Sequence, residues 1–199
     1  MIILKYILVI VLSYLLGSVS MSIIMSKASL GGDVREKGSG NAGATNMARV
    51  YGWGAGFLTL LGDSLKAGLS MYLGWLILGD MGLMLGGVFS TIGHCFPVYY
   101  GFKGGKGVSV GLAVAIALNW KVAVISLSVF AAIAVISKKV SLGSICAALS
   151  ILICSLVMNF SLPKVILGVL VPVFVIFQHR ENIKRLINGT EKDFKAAKK

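Results

Sequence analysis

Seven apolar runs, at about residues 3–26, 52–78, 82–98, 107–118, 122–137, 141–159 and 163–178, occupy most of this chain, with polar or glycine-rich punctuation between them. Continuous runs of this kind suit hydrocarbon, where each spanning segment must satisfy its own backbone N–H and C=O groups, and a helix does so within one segment. The expected fold is therefore an all-α integral membrane protein, with residues 1–199 as one polytopic domain. Charged residues make up 13% of the chain, about half the usual soluble share, and the mean hydropathy is +0.90. The first run follows Lys5 and superficially resembles a signal peptide. It is longer than a usual h-region, no A-x-A site closes it, and more apolar runs follow, so it reads as a retained first span. Cys95, Cys146 and Cys154 lie in or beside apolar runs without metal-ligand spacing and read as small buried hydrophobes.

The number of spans turns on residues 107–137, where Asn119, Trp120 and Lys121 divide two pieces that are each shorter than about 20 residues. Charge decides the count, because Lys and Arg accumulate in loops that stay in the cytoplasm. With seven spans, 15 of the 19 Lys and Arg residues fall on one side and Lys5, Lys121 and Lys164 on the other, with Lys66 inside a span. With six spans the split is 7 inside against 10 outside. Seven transmembrane helices are therefore expected, with the N-terminus outside and the C-terminus cytoplasmic. The short fourth and fifth helices imply local bilayer thinning or a sheltered place in the bundle. The same topology explains the net charge of +12 without nucleic-acid binding. It also gathers the polar segments 29–50, 98–107, 137–144 and 179–193 on the cytoplasmic face.

Those segments carry the candidate chemistry. In GSGNAGATNMAR (38–49), glycines allow the backbone to turn, Ser39, Asn41, Thr45 and Asn46 offer neutral hydrogen-bonding groups, and Arg49 supplies a planar fork suited to phosphate. In GHCFPVYYGFKGGKG (93–107), Lys103, Gly104, Gly105, Lys106 and Gly107 form a two-cation glycine turn at the start of a span, where backbone N–H groups and a helix N-terminus can receive an anion. The Walker A spacing is absent. His94, at the end of the preceding span, reads equally as a structural residue or a ligand contact. Ser141 and Ser144 in SLGS (141–144) have helix capping as their plain reading. In HRENIKRLINGTE (179–191), a basic juxtamembrane helix accounts for the cations. His179 and Asn182, three apart, additionally share one helix face. Asp63 and Lys66, also three apart, place charges inside the second span, as a structural pair or a functional one.

Taken in order, these motifs resemble the bacterial acyl-phosphate:glycerol-3-phosphate acyltransferase family, PlsY, over nearly the whole chain. The resemblance implies a multi-pass enzyme of the bacterial cytoplasmic (inner) membrane. It would move a fatty acyl group from acyl phosphate to the sn-1 hydroxyl of glycerol 3-phosphate, giving lysophosphatidic acid for phospholipid synthesis. No cofactor or metal is implied, and the partners are the two substrates and membrane lipids. The sequence agrees in lacking the H-x-x-x-x-D motif of commoner glycerolipid acyltransferases. The family's motif residues map onto Ser39, Arg49, Gly104, Gly105, Gly107, His179, Asn182 and Glu191, and with the cations read above the catalytic candidates are Ser39, Arg49, Lys103, His179 and Asn182. Asn41, Thr45, Asn46, His94, Gly104, Gly105, Lys106, Gly107, Ser141 and Ser144 are expected to bind substrate, and Glu191 to serve structure.

Cations and neutral donors suit two phosphorylated substrates, and the mixed anhydride of an acyl phosphate has a good leaving group, so direct transfer without an acyl-enzyme is expected. A transporter of phosphorylated solutes is the competing reading, although transporters place polar, broken helices near the midplane. Acyl-chain preference and oligomeric state are not legible. In a background without native cysteines, Lys198→Cys should react with an impermeant thiol reagent only from the cytoplasm and Asn119→Cys only from outside. Labelling of both from one side would exclude the seven-span topology.

Overall fold

The computed structural model describes residues 1–29 and 31–197. Leu30, in the polar segment 29–50, and Lys198 and Lys199, which enter the charge split, lie outside the described residues. Among those described, helices and loops account for the chain and there is no strand. The helices are α1 (Ile2–Ser18), α2 (Met21–Ser29), α3 (Ala44–Tyr51), α4 (Trp53–Cys95), α5 (Val108–Leu118), α6 (Trp120–Ser137), α7 (Val140–Val157), α8 (Leu162–Gln178) and α9 (Arg180–Ile187). By length and apolar character, Ile2–Ser29, Trp53–Tyr100, Trp120–Ser137 and Val140–Val157 can each cross a membrane. The bent pair α8–α9 adds a fifth.

Two departures from the sequence reading concern where helices break. The first apolar run is not one helix, because the chain leaves helical geometry at Val19 and Ser20. That break is held by a charged pair from α4: Lys66 Nζ donates to the Val19 carbonyl, and the Met21 N–H donates to Asp63 Oδ1 at 3.3 Å. The second and third runs form one assigned helix, α4, which folds back on itself at Leu78 and Gly79, the latter at φ 60°. Its two legs then meet along small residues. A Cβ on Gly82 would lie 1.9 Å from the Gly74 carbonyl oxygen, and one on Gly86 would lie 2.6 Å from that of Ser70. Glycine lets helix backbones approach to this distance, which is how helices associate where hydrophobicity alone gives no preference for protein over lipid. Helix α1 uses the same device against the second leg, with a Cβ on Gly17 2.4 Å from the Ser90 oxygen.

The expected break at Asn119 is present, with extended φ/ψ and an Asn119 side chain that accepts the Lys121 N–H at 2.9 Å. Its physical consequence is a short helix in the centre of the bundle. Helix α5 has 11 residues, about 16 Å by helical rise, and seven of them are buried. Val110, Val114 and Leu118 join Met71 of α4, Val122 of α6, Ile151 of α7 and Leu167 and Val171 of α8 in one apolar core. The outward faces instead carry exposed Ile, Leu, Val and Phe, with Trp53, Trp75 and Trp120 near helix ends, as a lipid-facing surface requires. Replacing Gly82 by Ala forces the two α4 legs apart, so the thermal midpoint in detergent should fall, in keeping with about 1–3 kcal/mol for overpacking. Gly68→Ala, where the added methyl meets nothing within 4 Å, should leave it unchanged or raised.

Candidate active site

At one end of the bundle, α3, α4, α5, α6, α7, α8 and α9 surround a cavity of about 1220 Å³. Its inner wall is apolar, built from residues such as Leu112, Leu127, Phe130, Ile151 and Val171. Its mouth is polar, with Ser39, Asn41, Thr45, Asn46 and Arg49 from the first motif and His94 and Lys106 from the second. Ser141, Ser144, His179, Asn182 and Glu191 come from the later segments. Residues from four distant stretches thus line one space.

The third motif is ordered by a bend. Helices α8 and α9 meet at 57°, and His179 is the residue at the corner, 3% exposed. Its Nδ1 lies 2.8 Å from the Val175 carbonyl, which can only accept, so Nδ1 carries the proton and Nε2 presents a lone pair. Burial and the nearby Lys106 push its pKa down to about 4, against the opposing effects of the Val175 bond and Glu191, so His179 is neutral at ordinary pH. One turn on, Asn182 accepts a hydrogen bond from Lys106 Nζ and donates from Nδ2 to Glu191 Oε1 at 2.7 Å. Glu191 also accepts from Ser141 at 2.5 Å and from Arg185 Nε at 2.6 Å. Burial opposes ionisation of Glu191, but these donors outweigh it and hold its pKa below the usual carboxylate value. Burial, reinforced by Arg185, Arg49 and Arg180, lowers the pKa of Lys106 despite Glu191.

The first motif is held by Asn46, 1% exposed. Its Oδ1 accepts the Ser39 N–H at 2.8 Å, and its Nδ2 donates to the carbonyls of Val34 and Lys37, each at 3.0 Å. Its polar atoms are therefore engaged by the loop, a different role from the ligand contact expected of it. Arg49, on the last turn of α3, lies with its guanidinium carbon 5.9 Å from the centre of the Phe194 ring. Phe194 stands edge-on to Trp53 at 5.2 Å and donates its N–H to the Lys138 carbonyl at 2.8 Å. The segment after Glu191 thereby runs across the cavity mouth.

The second motif also departs from expectation. The N–H of Gly104 donates to the Cys95 carbonyl and that of Gly105 to the His94 carbonyl, each at 3.1 Å, so neither is free to receive an anion. Glycine is needed there because a Cβ would lie 2.0 Å from the His94 oxygen at Gly104 and 2.2 Å from His94 Nε2 at Gly105. Gly107, at φ 85°, caps α5, and the first turn of that helix places Val108 and Ser109 on the cavity. Lys103 is exposed and lines a separate cavity of about 480 Å³ with Asp33, Arg35 and Gly104. The turn at Gly101 and Phe102, both with positive φ, carries it outward, and Lys106 is the cation of this motif that reaches the larger cavity.

Arg35, Ser109, Arg185 and Phe194 escaped the sequence reading. Arg35 pairs with Asp33 at 2.8 Å and donates to the carbonyls of Tyr100 at 2.7 Å and Lys103 at 3.1 Å, clamping the first and second motifs together. The D-x-R spacing of Asp33 and Arg35 was a usable signal for it. Phe194 carried none, since an isolated aromatic in a basic tail does not reveal what it packs against.

A lipid-facing helical bundle with a cavity that is cationic at its mouth and apolar within is the class of membrane protein that suits molecules carrying both a phosphate and an apolar chain. The family model for glycerol-3-phosphate acyltransferase matches residues 7–189. A relative of that description from Desulfotalea psychrophila is 44% identical, covering 92% of this chain and 95% of its own. One from Alkaliphilus metalliredigens is 43% identical, covering 93% and 94%. A crystal structure of PlsY (YgiH), an integral membrane glycerol 3-phosphate acyltransferase, in its glycerol 3-phosphate form, superposes with a TM-score of 0.90 at 35% identity. It covers 96% of both chains. The lysophosphatidic acid form gives 0.87 at 34% identity, covering 96% of this chain and 95% of that one. The chain belongs to the glycerol-3-phosphate acyltransferase family.

Because its folded-state pKa is depressed, Glu191 contributes stability that is present above its ordinary value of 4.5 and lost as pH falls through the folded value. Thermal midpoints measured in detergent should therefore drop on the acid side of about pH 4.5. In Glu191→Gln that part of the drop should vanish, with a lower midpoint at pH 7.

Proposed function

We propose that this protein transfers a fatty acyl group from acyl phosphate to the sn-1 hydroxyl of glycerol 3-phosphate, releasing phosphate and lysophosphatidic acid. The observation that carries the proposal is the polarity of the large cavity. Arg49, Lys106, Ser39 and Thr45 stand at its mouth and Leu112, Phe130 and Ile151 line its interior. Cations at the mouth suit phosphate oxygens, and the apolar wall suits an acyl chain. The two carboxylates at the mouth do not oppose this, since Glu191 is bonded to Arg185 and Glu181 is paired with Lys184 at 3.3 Å. Glycerol 3-phosphate as acceptor follows the family and the ligand named for the similar crystal structure.

Direct transfer is the mechanism this arrangement favours. Ser141 and Ser144 donate to Glu191 and to the Val140 carbonyl, and among the described residues no serine at the cavity bonds to an imidazole, so no activated acyl-accepting hydroxyl is in place. The acceptor hydroxyl attacks the acyl carbonyl, the carbon–oxygen bond to phosphate breaks, and phosphate leaves. His179 is poorly suited to take the proton, since its Nδ1–H bonds to a neutral carbonyl and Lys106 disfavours an imidazolium. A phosphate oxygen of a substrate is the base in this reading. We place the mouth at the cytoplasmic face of the bacterial inner membrane, with seven spans counted as α1–α2, the two legs of α4, α5, α6, α7 and α8.

Purified protein given labelled glycerol 3-phosphate and palmitoyl phosphate should yield labelled lysophosphatidic acid, and intact-mass measurement with palmitoyl phosphate alone should show no acylated protein. The rate should follow a phosphate ionisation near pH 6. His179→Asn should lose less than about 10³-fold at saturating substrates. Solute uptake by vesicles without lysophosphatidic acid, or a palmitoyl adduct, would overturn the respective parts.

A further inference from the structure

The buried charged pair inside α4 lies next to His94. Asp63 is fully buried, and its Oδ1 lies 2.9 Å from Lys66 Nζ. Lys66 Nζ is also 3.2 Å from His94 Nδ1. An ammonium has only donors, so Nδ1 must accept, and the ring proton is then on Nε2. Asp63 Oδ1 is 3.9 Å from the same Nδ1, too far to bond while Lys66 stands between them. His94 lines the large cavity, its Nε2 lies against Gly105, where a Cβ would come within 2.2 Å of it, and among the described residues Nε2 has no hydrogen-bond partner. His179 has the reverse arrangement, with Nδ1–H bonded to the Val175 carbonyl and a lone pair on Nε2.

We propose that the Asp63–Lys66 pair holds His94 in the Nε2–H tautomer, so that one histidine of the cavity is a fixed hydrogen-bond donor to substrate phosphate and the other, His179, a fixed acceptor. Asp63 and Lys66 are positioning residues that act through His94. The pair also bonds the chain break at Val19 and Met21, with Asp63 Oδ2 left buried without a partner, so the readout that separates positioning from structure is the tautomer of His94 and not stability. Removing Lys66 leaves Asp63 as the nearest acceptor for an Nδ1–H. The ring then flips tautomer and turns a lone pair toward the phosphate. A neutral donor to a charged oxygen, lost in this way, corresponds to about 10- to 100-fold in affinity.

The phosphate ligand rests on the function proposed above, whereas the tautomers do not, and the experiment separates the two. In protein labelled with nitrogen-15 histidine and held in detergent without substrate, long-range proton–nitrogen spectra report the tautomer directly. The chain has 2 histidines, so His94→Gln assigns both. His94 is expected as Nε2–H and His179 as Nδ1–H. Lys66→Met should shift His94 toward Nδ1–H and raise KM for glycerol 3-phosphate about 10- to 100-fold, with kcat changed only a few-fold. In a His94→Gln background, where the amide nitrogen supplies a donor independently of Lys66, the same change should cost less than about 3-fold. Finding His94 as Nδ1–H or as imidazolium in the unmodified protein overturns the tautomer assignment. An equal rise in KM in both backgrounds overturns the positioning role. If Lys66→Met does not fold, the spectrum of the unmodified protein decides the assignment, and Asp63→Asn with Lys66→Met, which removes both charges, carries the kinetic comparison.

Discussion

A backbone N–H or C=O surrounded by hydrocarbon has no water to turn to, and the architecture of this protein follows from that fact. Unbroken helices meet the requirement by themselves. Each break must be met by something else, and each break here has its own solution. At Val19–Ser20 the freed groups bond to Lys66 and Asp63. At Leu78–Gly79 the helix turns back, a positive-φ glycine making the reversal and Gly74 and Gly82 letting the legs touch. At Asn119 a side-chain oxygen caps the next helix. The breaks thereby decide where polar side chains can sit inside an apolar bundle.

The cavity exploits the same economy of partners. Asn46 and Glu191 satisfy groups of the protein itself, while Ser39, Arg49, Lys106 and the two histidines line the cavity, Lys106 with one of its donors on Asn182. Arg35 ties the first loop to the second, and Glu191 ties α9 to α7, so the mouth is held by ion pairs and hydrogen bonds at its rim. Such a site has its charges in place before a ligand arrives, which is what a reaction relying on proximity and electrostatic stabilisation needs. The short α5 delivers Lys106 to this point because its buried core position starts the helix at the cavity.

The all-helical character, the polar segments and the pairing of His179 with Asn182 on one face were legible along the chain, because each depends on local composition or on a spacing of three or four residues. The division at Asn119 was legible for the same reason. Lys103 and Lys106 were not separable by sequence, since both flank the same two glycines, and a turn at Gly101 and Phe102 sends one outward and the other in. The role of Gly104 and Gly105 was hidden as well. A glycine pair reads equally as an anion loop or as a place where backbone passes close to the end of α4, and only the carbonyls of His94 and Cys95 distinguish the two.

The sequence by itself determined that this chain is a helical membrane protein of the glycerol-3-phosphate acyltransferase family with its polar loops gathered in four segments, because hydropathy, charge and motif order are properties of neighbouring residues. Tertiary structure decided which of those loop residues line the cavity and which hold the loop, the break in the first span, and the contact of Lys66 with His94. The break and the histidine contact depend on residues 28 or more positions apart, as with Lys66 and His94, and the cavity lining does too, as with Lys106 and Asn182. Helix packing sets such contacts, and no local spacing encodes them.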